Sequence, residues 1–112
     1  MDNAFSDMEI SAGERLYVQC TGCHAPDYNR TGPKHCGILG SVAGSVKNFT
    51  YTKAMANSKI VWTRETLDQF LVSPLKMVPG TSMGFVGISS AKQRQQLVSY
   101  LSQLNEKNTI CK

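Results

Sequence analysis

The chain of 112 residues reads as one small helical domain with long irregular connections. Three observations predict this. Apolar residues recur at helical spacing after capping signals, no segment alternates apolar and polar residues as a half-buried strand does, and two stretches rich in Gly and Pro separate the periodic ones. In chain order, Ser11-Ala12-Gly13-Glu14 has the pattern of a capping box and predicts a short amphipathic helix reaching Val18. Residues 25–46, punctuated by Pro26, Gly32, Pro33, Gly37, Gly40 and Gly44, predict a loop, and a loop so long without elements of its own usually wraps something. Residues 51–58 suit one or two helical turns. Thr63 suits the N-cap of a helix running to about Val72, with Leu67, Phe70 and Leu71 on one face and Pro74 as its stop. A second irregular loop follows over 73–89. Ser90 with Gln93 repeats the capping-box pattern, and Leu97, Tyr100, Leu101 and Leu104 stand at i, i+3, i+4 and i+7 of a C-terminal helix. One domain is expected over 1–112, with 1–8 and 106–112 flexible or peripheral.

Composition excludes several functions. Twelve Lys+Arg against eight Asp+Glu give a net charge of +4, but the basic residues are scattered and never run three together, so nucleic-acid binding is not expected. The longest apolar runs are far short of the roughly 20 residues that span a bilayer, so the chain is not expected to be integral to a membrane. Residues 1–9 have neither a basic start nor an apolar stretch, so no export signal is read there. A chain of this size buries only about two-thirds of its unfolded surface, and a prosthetic group or a cross-link would add materially to its core.

The four cysteines sharpen this. Cys20 and Cys23 form a close pair followed directly by His24, while Cys36 and Cys111 stand apart. Cys-x-x-Cys-His reads as a covalent haem attachment site. On a helical turn, residues three and four apart share a face, so two thiols at i and i+3 can add to the two vinyl groups along one haem edge while the imidazole at i+4 lies under the iron. Two other chemistries use such a pair. A structural zinc site needs a second pair of ligands, for which His35 and Cys36 are conceivable, and a thioredoxin-like dithiol belongs after a strand in a βαβ pattern that this sequence lacks.

With a haem accepted, a second axial ligand is wanted. Met83 stands in Pro79-Gly80-Thr81-Ser82-Met83, a loop rather than a helix face, whereas Met8, Met55 and Met77 read as flexible core filler. His/Met ligation pairs a nitrogen donor with a soft thioether that favours ferrous iron and raises the reduction potential. With both axial positions filled by protein, electron transfer is the expected work.

Here the sequence resembles the class I c-type cytochromes, in the size class of mitochondrial cytochrome c and its bacterial relatives. The resemblance runs from Gly13-Glu14 to Tyr100-Leu101. It is carried by Cys20-Thr21-Gly22-Cys23-His24, Gly32-Pro33, Gly37-Ile38-Leu39-Gly40, Phe49-Thr50-Tyr51-Thr52, Trp62, Pro79-Gly80-Thr81-Ser82-Met83 and Phe85. It implies an all-α fold, with three main helices and long loops wrapped around one haem c attached through Cys20 and Cys23, and with His24 and Met83 on the iron. It also implies supporting roles. The Pro33 carbonyl would accept the Nδ1 proton of His24, Tyr51 and Trp62 would donate to a buried propionate, Thr81 would bond the inner propionate, and Phe85 would close the exposed haem edge. Since the family fold brings the loop at Cys36 close to the end of the C-terminal helix, a Cys36–Cys111 disulfide is expected, with two free buried thiols as the alternative.

Departures from the family carry expectations too. Phe70 falls where a tyrosine usually bonds the methionine sulfur, and Ser41 where an arginine usually lies near the propionates, a change that favours ferric iron. His35 takes a usually apolar place and is conceivable as an off-pathway haem ligand. The ring of lysines that steers mitochondrial-type relatives is largely missing. Docking is expected to rest instead on a more apolar patch of Gln19, Leu75, Met77, Val78, Phe85 and Val86, with weaker salt dependence. The resemblance thus implies a soluble monomeric one-electron shuttle in the periplasm, or else the mitochondrial intermembrane space. It would carry electrons from a dehydrogenase or bc-type complex to an oxidase, reductase or photosynthetic centre, transforming no substrate. The competing readings are a haem enzyme or gas- or peroxide-binding domain with a labile Met83, and an electron-entry module of a larger oxidoreductase.

Overall fold

The computed structural model describes residues 3–112. Helix α1 covers Asn3–Tyr17 and runs through a tight 3-10 turn, Val18–Cys20, into the attachment segment. A short α2, Lys53–Ala56, is followed by α3, Arg64–Val72, a one-turn α4, Pro74–Met77, and α5, Ala91–Ser102; a last 3-10 turn covers Thr109–Cys111. Among the described residues the nearest thing to a sheet is one antiparallel bridge between Val42 and Val61. It is bracketed by backbone bonds from Ala43 N to Ile60 O and from Trp62 N to Ser41 O.

Helix α1 begins well before the expected Ser11. The capping-box pattern at Ser11–Glu14 lies inside the helix, because no proline interrupts the preceding residues and Ile10, Gly13 and Tyr17 share one face that packs on α5. Gly13 sets the closeness of that packing. A Cβ there would stand 2.0 Å from the Gln96 carbonyl oxygen and 2.7 Å from the Tyr100 Cβ. A partly buried polar link reinforces the pairing, since the Arg64 guanidinium donates to Ser99 Oγ at 2.8 Å and the Ser99 hydroxyl donates to the Glu9 carboxylate, joining α3, α5 and α1.

The other helix ends follow local chemistry. Thr63 and Thr66 cap α3 reciprocally, each side-chain oxygen accepting the other's backbone N–H, at 3.1 and 2.8 Å. Ser73, held extended before Pro74, ends α3 and caps α4, so the loop expected over 73–89 contains one helical turn. Ser90 Oγ accepts the Gln93 N–H at the start of α5. Leu67, Phe70 and Leu71 of α3 and Leu97, Val98 and Leu101 of α5 meet in one core, with Leu104 buried just beyond α5. The chain end is tied back by a Cys36–Cys111 disulfide and by a bond from Gly37 N to Leu104 O.

Candidate functional site

Between the 3-10 turn after α1, the loop over 21–52 and the loop after α4 lies a mainly apolar cavity of about 420 Å³. Cys20, Cys23, His24, Pro33, Tyr51, Trp62, Thr81, Met83 and Phe85 all line it. Cys36 and Cys111 lie outside it, joined to each other.

The attachment segment is shaped by the helical turn that delivers it. His24 N bonds Cys20 O at 2.9 Å and Cys23 N bonds the same carbonyl at 3.2 Å, so both thiols and the imidazole leave one turn toward one space. Both thiols are free, and burial pushes that of Cys20 up to about 11, which keeps it neutral. His24 Nδ1 donates to the Pro33 carbonyl at 2.7 Å. A carbonyl can only accept, so the proton sits on Nδ1 and the lone pair on Nε2. Burial lowers the His24 pKa from its ordinary value; the bond to Pro33 opposes that shift and Arg30 adds to it. The ring is therefore neutral and competent to ligate a metal. Gly32 lies against it so closely that a Cβ would come within 2.2 Å of the imidazole Cε1. Arg30 steadies the loop by donating to the carbonyls of Thr21 and His24.

The loop after α4 also lines the cavity. Thr81 N bonds Val78 O at 3.0 Å and Met83 N bonds Thr81 Oγ1 at 3.2 Å, turning the half-buried Met83 along the cavity. Its far end is anchored by Ile88 N on Leu71 O and by Arg94, which pairs with Asp68 at 2.8 Å and donates to the carbonyls of Ile88 and Ser89. Polar groups line the remaining rim. Tyr51 Oη accepts the Val46 N–H at 3.0 Å, leaving its own proton to give, and burial holds that proton on by raising the phenol's pKa. Trp62 is buried with its ring edge-on to Phe70 at 5.1 Å. The Ser41 hydroxyl is spent on the Ile38 carbonyl at 2.7 Å.

Two residues matter more here than sequence reasoning allowed. His35 stacks on His24, with ring centres 4.2 Å apart, and its Nδ1 shares a hydrogen bond of 2.9 Å with the Tyr17 hydroxyl. Burial, and then His24, push the His35 pKa down to about 3, so its ring is neutral. Tyr17 lies eighteen positions away in sequence, and only its place on the buried face of α1 hinted at an inward role. Of the expected docking patch, Leu75 and Val86 are exposed at 61% and 86%, but Val78 is buried in the core and drops out of it.

A mainly apolar cavity lined by two free thiols, a neutral imidazole offering Nε2 and a thioether suits a metalloporphyrin held by thioether links. Comparisons with known proteins agree. The family model for cytochrome c matches residues 10–105. The chain is 39% identical over 98 residues to cytochrome c type-1 of Ascaris suum, covering 85% of this chain and 88% of that one. It is 38% identical over 103 residues to cytochrome c2 of Rhodomicrobium vannielii, covering 89% and 82%. Among solved structures, cytochrome cH from Methylobacterium extorquens superposes with a TM-score of 0.80 at 35% identity, over 82% of this chain and 95% of that one. The chain belongs to the cytochrome c family, as a class I c-type cytochrome with the all-α fold of that family. It is an electron-transfer protein that works with redox partner proteins through one covalently attached haem c. No helix among the described residues is long and apolar enough to cross a membrane.

Proposed function

We propose that the protein passes single electrons through a haem joined to Cys20 and Cys23, with His24 Nε2 and the Met83 sulfur as the groups that would hold its iron. The observation that carries this reading is that one cavity gathers both free thiols, the neutral His24 and the Met83 loop. When bound, the haem supplies a one-electron Fe(II)/Fe(III) couple. The chain supplies the rest. Pro33 holds the His24 tautomer, which keeps Nε2 available in both oxidation states. Thr81 and the Arg94 clamp hold the Met83 loop, so little rearrangement accompanies transfer. Tyr51, Trp62 and Thr81 offer donors to propionate oxygens that would otherwise be desolvated without partners. Phe85 shields the open edge.

Docking is read as mainly apolar, centred on exposed Leu75 and Val86 beside the Met83 loop, with a dehydrogenase or bc-type complex as donor and an oxidase, reductase or photosynthetic centre as acceptor. The Cys36–Cys111 bridge supports an oxidising compartment, the periplasm first and the mitochondrial intermembrane space second. Intact mass with spectroelectrochemistry on protein from a maturation-competent host tests the core of this reading. The expected result is the polypeptide plus one haem, titrating as a single reversible one-electron wave. Colourless protein of bare polypeptide mass would overturn it.

A further inference from the structure

Ligation by His24 leaves a question of orientation. Its bond to Pro33 fixes the tautomer and one edge of the ring, but a ring held at one atom can still swing about that contact. We propose that His35, braced by Tyr17, is a positioning residue that sets the rotation of the His24 imidazole and so tunes the electronic state of the metal it binds; this rests on the reading of His24 as an axial ligand.

The geometry is over-determined in a way that core filling does not require. The His35 ring lies over His24 with an interplanar angle of 24° and centres 4.2 Å apart, covering a face of the imidazole. Gly32 crowds its Nδ1–Cε1–Nε2 side, and Pro33 holds Nδ1. His35 is itself immobilised. Its Nδ1 bonds the Tyr17 hydroxyl at 2.9 Å, and the Tyr17 ring meets it edge-on at 5.5 Å while leaning on Tyr100 at 5.2 Å. Its backbone is held by the bonds from His35 N and Cys36 N to the Pro26 carbonyl and from Ile38 N to His35 O, and the next residue is cross-linked to the chain end.

An aliphatic side chain would fill the same space, but it has no planar face to lay on the imidazole and no acceptor or donor for Tyr17. A flat ring pinned at Nδ1 by a buried phenol supplies both. Partners outside a metal's own ligands control its electronics largely by fixing ligand orientation, because the plane of an imidazole decides which iron d orbitals its π system meets. The path Tyr100–Tyr17–His35–His24 thereby transmits the α1–α5 packing to the ligand plane.

The test compares the holoprotein with His35→Leu, which keeps the volume, and Tyr17→Phe, which keeps the ring but removes the hydrogen bond. Leu104→Ala serves as a control that loosens the core away from the cavity. Two readouts are used: the pattern of haem-methyl resonances in the ferric NMR spectrum, which reports imidazole orientation, and the reduction potential. His35→Leu is expected to reorder or compress the methyl pattern and shift the potential, Tyr17→Phe to do the same to a smaller degree, and Leu104→Ala to lower stability with the pattern intact. An unchanged pattern and potential in both His35→Leu and Tyr17→Phe would overturn the proposal, whatever the loss of stability, and if one variant fails to mature the other decides alone. A wild-type spectrum without histidine ligation would instead fail the underlying reading, and shows itself before any variant is compared.

Discussion

At the scale of single residues, the ligand-side chemistry depends on what is missing as much as on what is present. Gly32 has no Cβ because the His24 ring occupies that space. Gly32→Ala is expected to displace the imidazole from Pro33 and destabilise the holoprotein by about 1–3 kcal/mol, the usual range for overpacking, with thermal unfolding and the ferric spectrum as the measurements. Tyr17 makes a second prediction. Its phenol pKa is raised, first by burial and then by Tyr100 and Asp27. The folded state therefore keeps a proton that the unfolded chain gives up near the ordinary tyrosine value of about 10. Above that pH the unfolded state binds fewer protons, so stability present at lower pH declines as pH rises. Denaturation midpoints taken from pH 8 upward should fall beyond about 10, and less steeply in Tyr17→Phe. The attachment residues are legible in the sequence because Cys20, Cys23 and His24 are neighbours on one turn. The Tyr17–His35 bond is not, since it joins two segments that only the tertiary fold brings together.

At the scale of elements, helix starts are readable where a cap acts alone and unreadable where packing decides. Thr63 and Ser90 cap α3 and α5 as their sequence patterns predict, with side-chain oxygens on the third backbone N–H. The same pattern at Ser11 marks no start at all, because the helix is already under way and is extended upstream by Ile10 and Glu9, which meet partners only in the folded protein. The short α4 is hidden by Pro74, which reads as a stop for α3 and is equally the first residue of the next turn. Packing of α1 on α5 is the element-level contact most open to test. Gly13→Ala would improve intrinsic helix propensity by about 1 kcal/mol, yet it places a methyl against the Gln96 backbone. Net destabilisation of roughly 1–3 kcal/mol is expected in chemical denaturation. A stabilised variant would show that the helices can separate at no loss.

For the molecule as a whole, the small core is supplemented twice, by the group the cavity is built to hold and by the Cys36–Cys111 bridge. The bridge spans 75 positions. Chain-entropy reasoning credits a closed loop of that size with roughly 4 kcal/mol. The paired variant Cys36→Ser/Cys111→Ser should lose stability up to that amount while still carrying its haem, as denaturant midpoint and intact mass will show. Loss of covalent haem would mean that the bridge serves maturation instead. The family's all-α architecture is legible in the amino-acid order alone because its motifs follow one another along nearly the entire chain. The exposed apolar surface proposed for docking is not, since sequence position does not reveal that Val78 turns inward while Val86 is left bare.

At every scale the proposal turns on one cavity that both His24 and Met83 line; if both hold the iron, no coordination position is left for an outside molecule. Carbon monoxide added to the fully reduced wild-type protein tests this most directly. An unaltered Soret band is expected, with binding appearing once Met83 is replaced by Ala; rapid binding to the wild type would contradict a closed iron site.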